Sequence, residues 1–438
     1  MPGNFERRPR GARERELLEK TARTLPAGVR NATANPDYAM VAASGSGPRI
    51  RDVSGNEYID YLMGSGPLLL GHAHPAVVSA VREQIEKGSS TLIVNEPAIE
   101  LAEAVVEAVP SADKLCFHST GSESTFFAMR LARSFTGRQK ILKFEGGFHG
   151  MSDYAMMGNQ WTREPRDYPT AVPNSAGIPS VIEGEVLVAP FNDLETTGAI
   201  IQKHAHELAG VILEPLQRTI PPEPGFLEGL REITRHHEIV LIFDEVVTGF
   251  RLAFGGAQEY YGVVPDLTAL CKGIASGYPI SVLCGREDIM VHANPMRSVA
   301  DGYAAQTGTF SGNAVSCSAA LSTLRELRRD GTYERLFATG RRLMEGLQSA
   351  LDAAGIPARV TGEPPAFQPW FTTGEVRDFR STLQADGMLN LKFTELLIER
   401  GIVKAHEKFF VSTAHGDAEV DATLTAFGQV AEELRKLR

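Results

Sequence analysis

The sequence alternates short apolar stretches with segments of helical spacing, and this alternation constrains the fold more than any other feature. The run IVLIF at 239–243 is typical of a parallel strand that is buried on both faces. Similar stretches occur in KLCFH, QKILKF, EVLVAP and AGVIL, and SESTFFAMRLARSFTG is one of the helical segments between them. This pattern predicts an α/β fold, in which helices flank a central, mostly parallel sheet.

The length of 438 residues is enough for two or three domains. The alternating region predicts a large domain over residues 65–314. After about residue 315 the pattern becomes helix-rich, with a few strands such as PARV and FFVST. It predicts a smaller α+β domain over residues 315–438, with residues 1–64 packed against it.

Composition and charge exclude several classes of protein. The 44 basic and 54 acidic residues leave a net charge of −10, which argues against a nucleic-acid or membrane-surface partner. The four cysteines lack CxxC spacing, and no third ligand accompanies His72 and His74, so no metal site is predicted. No apolar run approaches the roughly 20 residues of a membrane span, and the N-terminus lacks the apolar stretch of a signal peptide. We therefore expect a cytoplasmic protein.

Residues that directly follow the strands are the candidates for binding, because ligands of open parallel sheets lie beyond the carboxyl ends of the strands. Thr120, Gly121 and Ser122 follow KLCFH and open a helix. Their N–H groups and hydroxyls suit a phosphate. Thr120 and Glu123 also have the spacing of a capping box, which is a purely structural alternative.

Two further strands end in residues that suit a flat ring. Phe148 and His149 follow KILKF, where an aromatic side chain can stack on a ring or simply pack within a loop. Asp244 ends IVLIF, and a carboxylate there is costly to bury without a partner such as a protonated ring nitrogen. A magnesium-binding Walker-B acid would require GxxxxGK[ST], which the sequence lacks. A structural acid that caps a helix stays possible.

Lys272 follows another apolar strand, in PDLTALCKGIASGYP, among small and apolar residues. Such surroundings lower the pKa of a lysine and suit a Schiff base, whereas a lone lysine usually extends into solvent. A phosphate cradle, a stacking aromatic, an acid for a pyridine nitrogen and a lysine for an aldehyde together indicate pyridoxal 5′-phosphate as the cofactor.

The motifs DEVVTGFR (244–251), PDLTALCKGIASGYP (265–279) and GTFSGN (308–313) resemble those of the class III aminotransferases. Within this group of fold-type I pyridoxal-phosphate enzymes, the chain is most similar to the glutamate-1-semialdehyde aminomutase-like branch. The resemblance extends from PAGV at residue 26 to VSTAHGDAEVDATL near the end. It implies the fold-type I architecture, in which residues 65–314 bind the cofactor, and a homodimer with shared active sites.

The resemblance also implies roles for individual residues. Lys272 would form the Schiff base, and Asp244 would contact the pyridine nitrogen. The remaining cofactor contacts would come from residues that pack on the ring, hold the phosphate or lie near the site: Phe148, His149 and Val246; Thr120, Gly121 and Ser122; and Glu214 of the LEP motif. Thr309 would reach the phosphate of the cofactor bound to the partner subunit.

The chain departs from the aminomutase pattern where substrate is expected to bind. Ser65 in GSGPLLLGHAHP stands in the place of a tryptophan, Ala34 falls near the place of an arginine, and KAHEKFF lacks the usual Pro-Ser. Arg30 and Arg251 are candidates to bind a carboxylate instead. We therefore expect a ping-pong aminotransferase that moves an amino group from an amino acid or amine to a keto acid. The alternative is a glutamate-1-semialdehyde 2,1-aminomutase or a related isomerase or racemase.

Overall fold

The computed structural model describes residues 5–26, 33, 35–159 and 165–437. Its strands are β1 (Ala42–Ser46), β2 (Arg49–Asp52), β3 (Glu57–Tyr61), β4 (Lys114–His118), β5 (Lys140–Phe144), β6 (Val186–Ala189), β7 (Leu208–Leu213), β8 (Val240–Glu245), β9 (Leu267–Leu270), β10 (Ser281–Gly285), β11 (Arg359–Glu363), β12 (Ala366–Trp370), β13 (Ile402–Lys404) and β14 (Phe409–Phe410). Its α-helices are α1 (Ala12–Thr24), α2 (Pro75–Lys87), α3 (Glu96–Ala108), α4 (Gly121–Thr136), α5 (Leu194–His204), α6 (Phe226–His236), α7 (Ala257–Tyr261), α8 (Glu287–Met290), α9 (Ala314–Leu327), α10 (Thr332–Ala353), α11 (Phe379–Thr382), α12 (Gly387–Ile398) and α13 (Asp417–Leu437).

The chain divides into two compact units. The sheet unit comprises Ala76–Arg328 and the short segment Arg377–Arg380. The terminal unit comprises the described residues up to Pro75, then Arg329–Val376 and the residues from Ser381 onward. The predicted α/β class is confirmed, and the division into segments 1–64, 65–314 and 315–438 stays a prediction.

The sheet unit is built on a seven-stranded sheet with the order β4-β10-β9-β8-β7-β5-β6. The strands from β9 to β6 pair in parallel. Only β10 runs against its neighbours β9 and β4 in this sheet, so β4 points the same way as the parallel strands. The carboxyl ends of β4, β5, β7, β8 and β9 consequently lie at one edge, which we call the carboxyl edge.

The apolar runs form these strands because both faces of the sheet are covered. Every residue of β7 and β8 is buried. On one face, Ala128 and Leu131 of α4 pack in a core cluster with Ile212 and Ile242. Burial of each such aliphatic side chain contributes roughly 1.5–3 kcal/mol. This packing holds α4 over the sheet and brings its N-terminus to the carboxyl edge.

The terminal unit contains two small sheets, with the orders β1-β2-β3-β13 and β11-β12-β14. β3 pairs in parallel with β13 through Ile59 and Ile402, so an early and a late part of the chain form one sheet. In this unit, His72 Nε2 lies 2.7 Å from Asp60 Oδ2, which gives this histidine a carboxylate partner. None of the helices described in the structure is both long enough and apolar enough to cross a membrane.

Candidate active site

A buried carboxylate–imidazole pair lies at the carboxyl edge. Asp244, near the end of β8, is 4% exposed, and its Oδ2 lies 2.8 Å from Nδ1 of the fully buried His149. Asp244 Oδ1 accepts the N–H of Val246 at 3.1 Å. His149 follows β5, and Thr125 of α4 donates its hydroxyl to the His149 carbonyl at 2.6 Å. The ends of two strands and one helix therefore meet at this pair.

The other nitrogen of His149 is buried and, among the described residues, has no hydrogen-bond partner. Buried polar atoms are nearly always paired, so such an atom needs an explanation, and a ligand absent from the structure is one. The Asp244 carboxylate can only accept a hydrogen bond, so the His149 imidazole carries its hydrogen on Nδ1. The Nε2 of His149 is then free to interact with a further group.

Lys272 lies two residues after the end of β9, which is the strand next to β8. Its backbone has a φ of 28°, in the left-handed region, where a side chain costs about 1–3 kcal/mol and is found most often at functional sites. Burial lowers the pKa of the Lys272 amine, and the Glu214 carboxylate opposes this effect. A larger share of neutral amine at neutral pH makes Lys272 a better nucleophile and base.

Glu214 connects the loops that follow β5 and β7. Its Oε1 accepts the N–H of Phe148 at 2.8 Å, and its Oε2 accepts the N–H of Arg218 at 3.3 Å. The Phe148 ring itself is exposed. Glu214 therefore positions the backbone that carries both Phe148 and His149.

The N-terminus of α4 forms the capping box that its sequence predicts. Thr120 Oγ1 accepts the N–H of Glu123 at 3.3 Å, and Glu123 Oε2 accepts the N–H of Thr120 at 2.8 Å. The structural interpretation of this motif is thus correct, and it leaves the anion-binding interpretation open. The box places Gly121 and Ser122 at the first turn of the helix, facing the carboxyl edge.

Two glycines allow the loops around this helix start to approach closely. A Cβ on Gly121 would lie 2.8 Å from Val246 Cγ2, and a Cβ on Gly150 would lie 2.6 Å from Ser122 Oγ. Gly150 also has a φ of +93°. Gly121, Ser122 and Val246 are therefore brought together by contacts that leave no room for larger side chains.

Thr309 is placed apart from these residues. It is exposed and lines a hollow of about 660 Å³ together with Leu92, Val94, Asn95 and Phe117. The other nine predicted site residues lie at the carboxyl edge, in the end of β8, the loops after the strands and the start of α4, namely Thr120, Gly121, Ser122, Phe148, His149, Glu214, Asp244, Val246 and Lys272.

Sequence reasoning missed two cationic residues near this site. Lys143 lies within β5 and is fully buried, with its Nζ donating to the Ala155 carbonyl at 2.8 Å and to Asn159. Burial lowers the pKa of Lys143 to about 7, against the opposing charges of Glu214 and Asp244. A lysine inside the apolar run KILKF was a signal that could have been noticed.

The second missed residue is Arg218, whose positive charge contributes to lowering the pKa of Lys272 after the larger effect of burial. Of the arginines considered from sequence, Arg251 is fully buried and donates its Nε to the Val247 carbonyl at 3.1 Å. Arg30 and Ala34 lie outside the described residues.

Comparison with known proteins gives one family throughout. Residues 31–423 match the family described as Aminotransferase class-III. A glutamate-1-semialdehyde 2,1-aminomutase of Methanothermobacter thermautotrophicus is 41% identical over 428 residues, which cover 96% of this chain and 99% of that protein.

Solved structures with the same fold include an omega-transaminase from Sphaerobacter thermophilus. It is 35% identical, has a TM-score of 0.92, and the match covers 99% of this chain and 100% of the other. A transaminase with bound pyridoxal phosphate is 28% identical, has a TM-score of 0.88 and matches over 97% of this chain and 98% of its own.

The contact between Gly121 and Val246 gives a prediction about stability. We expect Gly121→Ala to destabilise the protein by about 1–3 kcal/mol, because the new methyl group would overlap Val246. Val246→Ala removes the two valine methyl groups that the new methyl group on residue 121 would overlap. The double variant should therefore lose less stability than the sum of the two single losses, by about 1 kcal/mol or more. Thermal unfolding of the single and double variants, followed by circular dichroism without cofactor, measures this coupling. Full additivity of the two losses would contradict the packing described here.

Proposed function

The chain belongs to the class-III aminotransferases and works with pyridoxal 5′-phosphate, and from this premise we propose that it moves an amino group within or between small carbonyl compounds. The family and the cofactor expected from the sequence are confirmed. The reaction, the roles of the site residues and the subunit arrangement are proposals.

The residues present fit the cofactor. His149 presents a buried Nε2 that lacks a hydrogen-bond partner among the described residues. Gly121 and Gly150 let the neighbouring backbone segments pack closely, and a closely packed surface of this kind suits a flat aromatic ring. The start of α4 offers backbone N–H groups and the positive end of a helix dipole, which suit a phosphate dianion. Both features lie at the carboxyl edge, where Lys272 also lies.

When bound, pyridoxal phosphate supplies an aldehyde carbon that takes up an amine and a ring that accepts electrons from it. Asp244 would hold a proton on the ring nitrogen, because a buried carboxylate stabilises a cation that faces it. His149 donates from Nδ1 to Asp244 and so fixes the orientation of that carboxylate. Val246 and Phe148 would pack on the ring, and Glu214 fixes the backbone of Phe148 by accepting its N–H.

Lys272 carries the proton transfers. Its Nζ would accept the proton from the substrate carbon that bears the amino group and return it to a neighbouring atom. General acid–base catalysis of this kind typically increases the rate about 10²–10⁴-fold. The lowered pKa of its amine, caused first by burial, keeps part of it neutral and ready to accept. Thr120, Gly121 and Ser122 would hold the phosphate, so that the reacting atoms stay within reach of Lys272.

The first candidate reaction is an intramolecular amino shift like that of glutamate-1-semialdehyde 2,1-aminomutase. The observation that carries it is the 41% identity to an aminomutase over nearly the whole of both chains.

The second candidate is the ping-pong transamination expected from the sequence. It is supported by the TM-score of 0.92 and 35% identity with an omega-transaminase. Ser65 also supports it, because it stands where the aminomutase pattern shows a tryptophan.

We expect the holoenzyme to convert glutamate-1-semialdehyde alone, over many turnovers, into the isomer with the amino group on carbon 1. In a parallel assay it receives an amine donor alone or together with pyruvate or 2-oxoglutarate. Lys272→Ala serves as the control and should lose about 10³-fold or more in every assay.

Sustained conversion of the semialdehyde supports the aminomutase. Conversion that stops after one event per site, with sustained turnover only when donor and keto acid are both present, identifies the transaminase instead. If the holoenzyme shows neither kind of turnover, the proposed function is wrong. If Lys272→Ala is as active as the parent enzyme, the proposed role of that lysine is wrong.

The role of Asp244 is tested by Asp244→Asn. The amide cannot hold a positive charge on the ring nitrogen, so we expect cofactor to bind and turnover to fall about 10²-fold or more, equivalent to about 2.7 kcal/mol in the activation barrier. Visible absorbance measures bound cofactor, and the rate is measured on the same sample. An unchanged rate at equal occupancy would show that Asp244 is structural.

A homodimer is the subunit arrangement that the surface favours. Leu92, Ile93 and Val94 are 84%, 76% and 71% exposed, and they form an apolar rim on the hollow that Thr309 also lines. A second copy would bury this rim, and Thr309 would then face the phosphate site of the partner subunit.

Sedimentation velocity of the holoenzyme should therefore give twice the mass of one chain. Leu92→Glu combined with Val94→Glu should shift it to the monomer, whereas Val181→Glu, an equally exposed valine outside the hollow, should not. A monomeric parent protein, or a dimer unaffected by the double substitution, would contradict this arrangement.

A further inference from the structure

His118 occupies a buried position beside the start of α4. It is the last residue of β4 and is 3% exposed, and its ring is stacked on Phe127 of α4 with the ring centroids 4.7 Å apart. Both ring nitrogens have polar neighbours: Nδ1 lies 3.0 Å from Ser124 Oγ, and Nε2 lies 3.0 Å from Gln306 Oε1. The imidazole therefore joins α4 to the segment that leads to Thr309.

A chain of hydrogen bonds runs from this imidazole to the backbone at the start of α4. Ser124 donates its hydroxyl to Ser281 Oγ at 2.9 Å, and Ser281 donates its own hydroxyl to the Thr120 carbonyl at 2.7 Å. Both serines are fully buried. Ser281 belongs to β10, where it is paired with His118 of β4. The network thus fastens the start of α4 to two strands of the sheet.

The direction of this chain is set by its last member. The Thr120 carbonyl can only accept, so Ser281 must donate to it, and Ser124 must donate to Ser281. Each hydroxyl has a single hydrogen, so Ser124 accepts from His118, whose Nδ1 carries a hydrogen. Burial lowers the pKa of His118, which keeps the ring neutral at neutral pH and leaves Nε2 as an acceptor. The Gln306 amide can rotate to present its Nε2, which is buried and has no hydrogen-bond partner among the described residues.

Anchoring the Thr120 carbonyl also fixes the peptide group that opens α4. A peptide group is planar and trans, so the direction of the Thr120 C=O determines the opposite direction of the Gly121 N–H. Thr120, Gly121 and Ser122 are the residues proposed above to hold the cofactor phosphate, and N–H groups at a helix start are what such an anion contacts. The buried histidine thus acts on the geometry of this phosphate site from a distance of three hydrogen bonds.

We propose that His118 is a positioning residue for the cofactor phosphate. Through the two serines it holds the Thr120–Gly121 peptide in the orientation that binds the dianion. This inference rests on the proposed function and deepens it, because it identifies what aligns the phosphate site. His118 does not touch the cofactor in this proposal, so its loss should weaken the binding of a ligand with a phosphate and spare a ligand without one.

The test compares pyridoxal 5′-phosphate with pyridoxal, which has the same ring and aldehyde but no phosphate. Each is titrated by calorimetry into the full chain from which the cofactor has been removed. His118→Phe keeps a ring against Phe127 but removes both polar contacts, so the dissociation constant for pyridoxal 5′-phosphate should rise about tenfold or more. The dissociation constant for pyridoxal should change by less than about threefold. His118→Asn, which can still donate to Ser124, should recover most of the loss.

Ser281→Ala removes the last link of the chain and should give a similar loss of affinity. Because His118 acts through this link, the variant with both substitutions should bind pyridoxal 5′-phosphate within about twofold of the weaker single variant. Two unconnected structural losses would multiply instead. Ser281→Ala is also the smaller change, so it carries the test if His118→Phe does not fold.

A second readout is the phosphorus NMR resonance of the holoenzyme, which reports the surroundings of the bound phosphate. This resonance should shift in His118→Phe and in Ser281→Ala. In the double variant it should lie where it lies in Ser281→Ala, because the histidine no longer reaches the Thr120 carbonyl once the serine hydroxyl is gone.

His292→Phe is the matched control. His292 contacts the same helix, with its Nδ1 3.0 Å from Ser134 Oγ and its ring against Phe135, but these contacts lie in the last turn of α4, away from the phosphate site. This substitution should leave the affinity for pyridoxal 5′-phosphate and the phosphorus resonance unchanged.

The outcomes separate the two levels of inference. Equal losses for the two ligands, multiplied losses in the double variant, no recovery in His118→Asn, or an equal loss in His292→Phe would overturn the positioning role of His118. Unchanged affinity in both His118→Phe and Ser281→Ala would do the same. If the holoenzyme shows neither aminomutase nor transaminase turnover while phosphate affinity is lost selectively, the proposed reaction fails and the positioning role stands.

Discussion

The burial of one carboxylate at the end of a parallel strand is the constraint on which the rest of the site depends. Asp244 is almost fully enclosed, and an enclosed charge is costly unless it is paired and hydrogen-bonded. His149 Nδ1 and the N–H of Val246 supply that pairing within the chain. Because His149 belongs to the loop after β5, the pair can form only when this loop reaches past β7 to the end of β8.

The same exclusion of water tunes the cationic groups around this pair. Burial lowers the pKa of both Lys143 and Lys272, and the carboxylates of the site limit the shift. In a medium of low dielectric constant each charge acts over a longer range than in water, so these groups respond to one another. Surroundings of this kind favour the neutral form of the Lys272 amine, which is the form that can accept a proton.

Contacts with residues outside the loops of the candidate site hold the segment after β5 in place. Glu145, directly after β5, is buried and pairs with Arg380 at 2.7 Å, and Tyr168 donates to the same carboxylate at 2.6 Å. Gln217 donates its side-chain amide to the Glu145 carbonyl. The segment Arg377–Arg380 thereby belongs to the sheet unit, although it comes from a distant part of the chain.

The amino-acid sequence by itself determined the features that depend on local pattern. Unbroken apolar runs specify β7 and β8, because a strand covered on both faces needs no polar residues. Thr120 and Glu123 specify the start of α4, because a capping box is complete within four residues. Seven of the nine candidate site residues could be proposed because each lies at or soon after the end of an apolar strand, whereas Glu214 and Val246 were named from the family resemblance.

Only the tertiary structure decided what depends on contacts between distant residues. The antiparallel insertion of β10, the partners of Lys143 and the attachment of Arg377–Arg380 have no local signature, since each is decided by packing against segments far away in the chain. Arg218 shows the limit most clearly. Arg218 has a φ of 61° in the tight turn between the paired residues Gln217 and Ile220, where local preference would place glycine. The surrounding contacts, including the hydrogen bond from its N–H to Glu214, hold it there.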